Sequence, residues 1–497
     1  MKSIARLLTP TVVALCLWTI PPPAHAQPSA VPPSYQNLYR LMQQQLAAFN
    51  KTLDASGSTA SGPGLWAVAF PDADGNVGPG ALKPGYYPPL LTQLQELKAL
   101  GVGAALVQVG FPMLYEPFLG SRQFSEFKAF YKKVANDIRA AGLKVIVEND
   151  VLPSQGNRDH WHTAGFFKSL SWEQYQQARA TTAATVAETM KPDYLVVLQE
   201  PDTESEHSGQ AEVNTPDGAT TLVSELIASV AKAGVTGTRV SAGVGSWLHN
   251  GEAFIRQFAT LPLDTIDIHI YPINRGDLPR ALSIAQIAAS AGKPVSISES
   301  WLNKLLDDEV GNLGSEVARS RNTYAFWAPL DTDFLNMLRN FASHTHMVFA
   351  NVFDTHYLWA YLNYPKVEHL KPVQLLNKET KASTAANLKG HFTSTGKNFY
   401  HMIVQPPNKS APSVPSDLRG TSPHPKQVQL RWTASRDEVG VVGYYVYRDG
   451  VKVKLVILPN YLDNTLSPKH TYAFSVEAFD LAGNVSGRSP EIHVTTK

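Results

Sequence analysis

The chain has 497 residues, 43% of them hydrophobic and 17% charged, with 43 basic side chains against 42 acidic ones. A chain this long and this apolar exceeds the size at which one core stops growing, so more than one domain is expected. The near balance of charge excludes the basic surface that a nucleic-acid partner requires, and no stretch after residue 26 is apolar for long enough to cross a bilayer.

In chain order, residues 1–26 read as a secretory signal: Lys2 and Arg6, an apolar region over 7–20, then Ala24-His25-Ala26 ahead of Gln27. Its removal leaves 41 basic against 42 acidic side chains. Cys16, the single cysteine, lies inside this segment, preceded by Leu15 rather than the small residue that lipidation uses. The mature chain is then expected to be secreted, extracellular or periplasmic, without disulfide or thiol chemistry.

A helix is predicted at 36–53. Apolar β-type runs follow at 65–70, 104–109, 144–147, 194–198, 239–244, 265–270, 294–298 and 347–352. Helical periodicity fills the intervals at 90–100, 126–141, 172–190, 221–233, 252–258, 278–291 and 314–324, with a last helix at 392–404. Gly101, Gly142, Gly234 and Gly292 each follow one of these helices, as stops that feed the next strand. Eight alternations predict an α/β fold, a (β/α)8 TIM barrel over 33–404. A doubly wound open sheet is the alternative.

Residues 405–411 form a Pro-rich linker, since consecutive prolines continue neither helix nor strand. Over 412–497 the pattern changes to short alternating strands at 428–432, 443–448, 472–479 and 491–495, with turns at Arg448-Asp449-Gly450 and Ala482-Gly483-Asn484. This is an all-β sandwich. Trp432, the run from Gly443 to Gly450 and the run from Thr471 to Asn484 resemble a fibronectin type III module, with Tyr472 as its tyrosine corner. The resemblance implies a spacer or a carbohydrate-proximal accessory.

The chemistry is carried by two carboxylates. Glu200 closes the run that begins at Asp193, and Glu299 closes the run that begins at Pro294. A strand of Leu, Val and Ile buries a charged Glu only at high cost, so both belong at the carboxyl rim of the barrel. Two acids there, far apart in sequence, point to glycoside hydrolysis; a rim salt bridge is the other use of a strand-end Glu. Counting strands places Glu200 at the end of the fourth and Glu299 at the end of the seventh.

That arrangement resembles clan A glycoside hydrolases over most of residues 60–405. The resemblance implies Glu200 as acid/base and Glu299 as nucleophile. It also implies that Tyr271, in Asp267-Ile268-His269-Ile270-Tyr271-Pro272, donates a hydrogen bond to Glu299. The chain departs from the clan at Gln199, where Asn is usual, and on strand two, where Gln108 and Gly110 stand in the neighbourhood of the usual Arg.

Further substrate-binding candidates are Gln199, His269, Tyr271, Asn149 in Glu148-Asn149-Asp150, and two aromatic platforms, Trp301 and Trp66. Trp161, Trp247, Trp327 and Trp359 are weaker stacking candidates. The His-x-His runs at Asp159-His160-Trp161-His162 and His344-Thr345-His346 lack a third ligand in register, so no metal and no cofactor is expected. The reading is a secreted, monomeric, retaining glycosidase acting on an extracellular poly- or oligosaccharide. Its alternative is a non-catalytic carbohydrate-binding or cell-surface barrel, which the Gln199 departure favours.

Overall fold

The computed structural model describes residues 31–54, 62–154, 161–387, 389–403, 410–437, 441–456, 458–480 and 484–497. The expected signal with Cys16, most of the linker, Asp159, His160 and most of the Ala482-Gly483-Asn484 turn lie outside them. No helix among the described residues is long and apolar enough to cross a membrane.

Eight parallel strands close into a barrel: β1 (Trp66–Ala69), β2 (Ala104–Gln108), β3 (Lys144–Glu148), β4 (Tyr194–Leu198), β5 (Arg239–Gly245), β6 (Thr265–Ile270), β7 (Val295–Ser300) and β8 (Ala350–Val352). Pairing of Ala67 with Asn351 closes the ring between β8 and β1. The two-residue period of a strand sorts side chains to the two faces. Val107, Val145, Val147, Leu195, Val197, Ile266 and Ile268 face the surrounding helices and join one large core. Ala67, Ala104, Leu106, Ile146, Tyr194, Val196 and Phe349 form a separate apolar plug.

Above that plug the same alternation continues with polar residues. Ala104, Leu106 and Gln108 follow one another along β2, and Ile146 and Glu148 along β3. The barrel therefore has an apolar floor and a polar mouth.

The helices match expectation at 172–190 and lie within a few residues of it at most other positions, save that the predicted 126–141 helix begins ten residues earlier, at Glu116. The exception precedes β8. In place of one helix at 314–324 there is a short one, Ser315–Arg321, and then a 17-residue helix, Ala328–His344, burying Phe334, Leu335, Leu338 and Phe341. A further helix, Pro372–Asn387, was also absent from the sequence reading. Both carry Pro in the first turn, where the missing N–H costs nothing and the fixed φ suits helix entry.

The C-terminal strands β9 (Ser416–Thr421), β10 (Val428–Thr433), β11 (Val441–Arg448), β12 (Val451–Val456), β13 (Asn460–Asp463), β14 (Thr471–Asp480) and β15 (Ile492–Thr495) form two antiparallel sheets, β13-β10-β9 and β12-β11-β14-β15. Val428, Leu430, Trp432, Tyr444, Val446, Phe474, Val476 and Ala478 fill the space between them. Asp449 at φ 51° and Gly450 at φ 77° make the tight turn from β11 to β12, a conformation that favours glycine at the second position. The Tyr472 hydroxyl accepts from the Ser467 N–H at 2.9 Å, the back-bond of a tyrosine corner.

Candidate active site

Pro201 fixes where β4 ends. The residue before a proline avoids the helical region, so Glu200 stays extended at φ −135° while Pro201 opens the helix Pro201–Ser208. Glu200 thus sits at the junction of strand and helix, at the mouth. Its helix is anchored from beneath by Arg179, whose Nε and Nη2 both donate to the Glu204 carboxylate at 3.0 Å. Arg179 and Glu204 are 0% and 4% exposed. Tyr175 adds a hydrogen bond to Glu204 at 2.7 Å.

A buried pair like this gives little net stability when whole but is costly to halve. Arg179→Met should lower unfolding free energy by about 3–5 kcal/mol, because Glu204 is left charged and unpaired. Urea denaturation checks this; an unchanged midpoint would refute the anchoring role.

Glu299 is reached from two other strands, β2 and β6. Tyr271, just past β6, donates to its Oε2 at 2.6 Å, and Gln108 at the end of β2 donates from Nε2 to its Oε1. Where the clan's Arg is missing, an amide therefore makes the contact without supplying charge. The charge comes from His269 on β6. Its Nδ1 lies 2.8 Å from Glu200 Oε1 and 3.6 Å from Glu299 Oε2.

The other ring nitrogen, Nε2, lies 2.8 Å from Ser298 Oγ. Ser298 gives its own proton to Asp267, which also accepts from Ser296 at 2.7 Å, so the serine oxygen accepts from the ring. Glu148 Oε1 is 3.4 Å from the same Nε2. Both nitrogens then donate, as in an imidazolium. Burial opposes that charge, but Glu299, Glu148 and Glu200 outweigh it and raise His269 well above its usual range.

The two glutamates are pushed in opposite directions. Burial pushes Glu200 upward, yet the hydrogen bond and charge of His269 prevail and hold it below the usual carboxylate range. Burial, reinforced by Glu148 and Glu200 and resisted by His269 and Tyr271, holds Glu299 well above it. These directions run opposite to the acid role expected of Glu200 and the nucleophile role expected of Glu299.

Gln199, Glu200, His269 and Glu299 line a cavity of about 80 Å³ together with Asp150, Val151, Thr203 and Glu204. A wider cleft of about 460 Å³ between the helices Gln36–Asp54 and Asp277–Ser290 has no carboxylate in its lining, so chemistry rather than volume singles out the barrel mouth.

Several expected contacts need correction. Trp301 is 1% exposed and packs against Tyr357 and Phe334, so its faces are taken. Trp66 begins β1, is buried and meets Phe399 edge-on. Asn149 is fully buried, donating to the Val109 carbonyl at 2.7 Å and accepting from Arg179 at 3.0 Å. Trp301 and Asn149 are covered by packed neighbours at the carboxyl ends of their strands, and Trp66 stands at the amino end of β1, away from the mouth. His269 is 1% exposed, has both nitrogens engaged and lines the cavity between the glutamates.

Trp161, Trp327 and Trp359 are likewise buried. Trp247 is the stacking candidate that keeps a half-exposed ring, held by Nε1 donating to Asp202 at 2.8 Å and lying 5.9 Å from the Tyr271 ring. His344 ends a helix that leads into β8, at the opposite end of the barrel from the mouth. Glu148, His269 and Glu299 bring ligand-type atoms within 4.8 Å of one another, but both imidazole nitrogens are already hydrogen-bonded.

Sequence reasoning missed Asp267, Ser298, Arg179 and Glu204 as support for the site, and named Gln108 only as a missing Arg. The available signal was the polar alternation Asp267-Ile268-His269, which is unusual in a strand buried on both faces.

No family model matches the chain. It is 44% identical over 90 residues to Chitinase Chi52 of Paenibacillus xylanexedens, covering 18% of this chain and 17% of that protein. It is 41% identical over 91 residues to Exoglucanase B of Cellulomonas fimi, covering 18% and 8%. The chain thus spans less than a fifth of the length of these curated relatives. Among solved structures, a Cellulomonas fimi endo-beta-1,4-mannanase double mutant aligns at 15% identity and TM-score 0.37 over 91% of this chain and 97% of that one. The FN1-FN3 domains of chicken CNTN1 align at 22% identity and TM-score 0.16 over 18% and 33%. With a closed eight-stranded parallel barrel, a carboxylate at the ends of its fourth and seventh strands, and a sandwich with a tyrosine corner, the chain resembles a clan A-type (β/α)8 glycoside hydrolase followed by a fibronectin type III module.

Proposed function

We propose that the chain is a retaining glycoside hydrolase of extracellular poly- or oligosaccharides, with Glu299 as nucleophile and Glu200 as acid/base. The observation that carries this reading is that both carboxylates lie against one nitrogen, Nδ1 of His269. Two oxygens so placed are no farther apart than those contacts laid end to end, which is short of the roughly 6.5–9.5 Å of an inverting pair. Tyr271 and Gln108 hold Glu299 by both oxygens, as an attacking carboxylate requires.

In the reacting form Glu200 carries the proton as the acid and Glu299 is the anion, with the His269 Nδ1 within 2.8 Å of the first and 3.6 Å of the second. Glu299 attacks the anomeric carbon as Glu200 protonates the departing oxygen; Glu200 then takes a proton from the water that cleaves the glycosyl-enzyme. No cofactor enters these steps.

On this reading residues 1–26 are an export signal, 33–404 the catalytic domain of a monomer, 405–411 a linker and 412–497 an accessory module. Incubation with a panel of polysaccharides and aryl glycosides should release reducing ends, and the first-formed sugar should keep the anomeric configuration of the substrate. Inverted product, or no release from any glycan, would overturn the proposal.

A further inference from the structure

We infer that the floor of the cleft is built for a sugar carrying a free amine, an unacylated hexosamine, with Asp150 as the residue that receives it. The inference rests on the glycosidase reading and adds the substrate class. Glycoside hydrolysis by double displacement needs two carboxyl groups. This cleft is lined by four, Asp150, Glu200, Glu204 and Glu299, with Glu148 and Asp267 behind them.

The cations nearby are already committed. His269 is saturated by Glu200 and Ser298, and Arg179 is fully buried on Glu204. Among the described residues neither Lys nor Arg lines the cavity. Glu204 is matched by Arg179 and the catalytic pair shares His269, so Asp150 is the surplus acid.

Asp150 is not a solvated loop residue. Its carbonyl accepts from the Phe111 N–H at 2.6 Å, and Phe111 and Val151 form a parallel bridge that extends the barrel edge past β3. Gly110 leaves room for its side chain: a Cβ there would come 2.8 Å from Asp150 Oδ1. That oxygen is buried and has no hydrogen-bond partner among the described residues. The Gln199 amide oxygen, in a side chain 3% exposed, is in the same condition.

Unpartnered acceptors at the floor of an acidic cavity are complemented by a ligand that brings donors and positive charge. A hexosamine ammonium brings three N–H donors and a full charge. N-acylation replaces them with one N–H and a carbonyl that faces other acceptors, and a uronate or sulfate sets an anion against the carboxylates. Burial together with Asp74, Glu148 and Glu200 pushes Asp150 well above the usual carboxylate range against the pull of Arg179; an ammonium beside it would draw it back toward the charged form.

The test compares 4-nitrophenyl 2-amino-2-deoxyhexosides, in gluco and galacto configurations and both anomers, with their N-acetyl and 2-hydroxy counterparts. The free amine should raise kcat/KM at least about tenfold over both counterparts, and the advantage should shrink with added salt. Asp150→Asn should bring the ratio of amine to hydroxyl substrate close to one, chiefly through KM for the amine. Hydroxyl or N-acetyl substrates cleaved as fast as the amine by the unaltered protein would overturn the inference and leave the glycosidase reading standing. Failure to cleave any of them, or any polysaccharide, would overturn that reading as well. The comparison on the unaltered protein decides the matter even if Asp150→Asn does not fold.

Discussion

Glu299→Gln should abolish turnover, by roughly 10⁴-fold or more on every substrate, without loosening the fold. The amide cannot form the glycosyl-enzyme, and its described neighbours do not stand in for it: Tyr271 and Gln108 donate to Glu299, and Glu200 is held on the His269 Nδ1. The fold should survive because Gln keeps the shape of the side chain and removes a carboxyl whose charged form burial, Glu148 and Glu200 all disfavour. Removing one of several mutually repelling buried carboxyls should leave Tm equal or higher. An activated 2-fluoro-sugar should label Glu299 in the unaltered protein, read by mass spectrometry of the peptide. Label on another carboxylate, or activity retained in the variant, would refute the nucleophile.

Glu200→Ala should split its effect by leaving group. Hydrolysis of natural glycosides should fall by about 10²–10⁴-fold, the usual worth of a positioned general acid. With an aryl glycoside whose phenolate departs unaided, formation of the glycosyl-enzyme should be far less affected, and the intermediate should accumulate because its hydrolysis still lacks a base. Azide needs no deprotonation, so it should restore turnover and give a glycosyl azide of retained configuration. Azide product of inverted configuration would make Glu200 the nucleophile. Equal losses on both substrates without azide rescue would make it structural, the outcome that a non-catalytic barrel requires.

The barrel was legible because its strands are buried on both faces. Runs such as Tyr194–Leu198 and Thr265–Ile270 are marked off by glycine stops and helical periodicity, and their bounds agree in sequence and structure. The 17-residue helix before β8 was not legible, because Pro329 in its first turn reads locally as a break. Trp66, Trp301 and Asn149 were offered to a sugar for a similar reason: sequence identifies a strand end but not what packs over it, and Trp66 begins its strand rather than ending it. Burial is a tertiary property, and Trp serves a core as readily as a sugar.

What the sequence by itself determined is the order of strands, the two glutamates at the ends of the fourth and seventh, and the Tyr271 hydroxyl beside the second of them. What only the tertiary structure decided is where those groups point. In β7, Ser296 and Ser298 face inward to Asp267, so strict alternation would turn Glu299 outward into apolar helices. The β6–β7 register shifts between Asp267 and His269, and that irregularity brings Glu299 to Tyr271 and Gln108. A matching shift between Val196 and Leu198 sends Leu198 to the outer core and aims Gln199 and Glu200 at the mouth. One misplaced residue of register reverses every side chain beyond it, and register is set by the neighbouring strand, which may lie tens of residues away in sequence; the convergence of four acids on His269 therefore exists only once the barrel has closed.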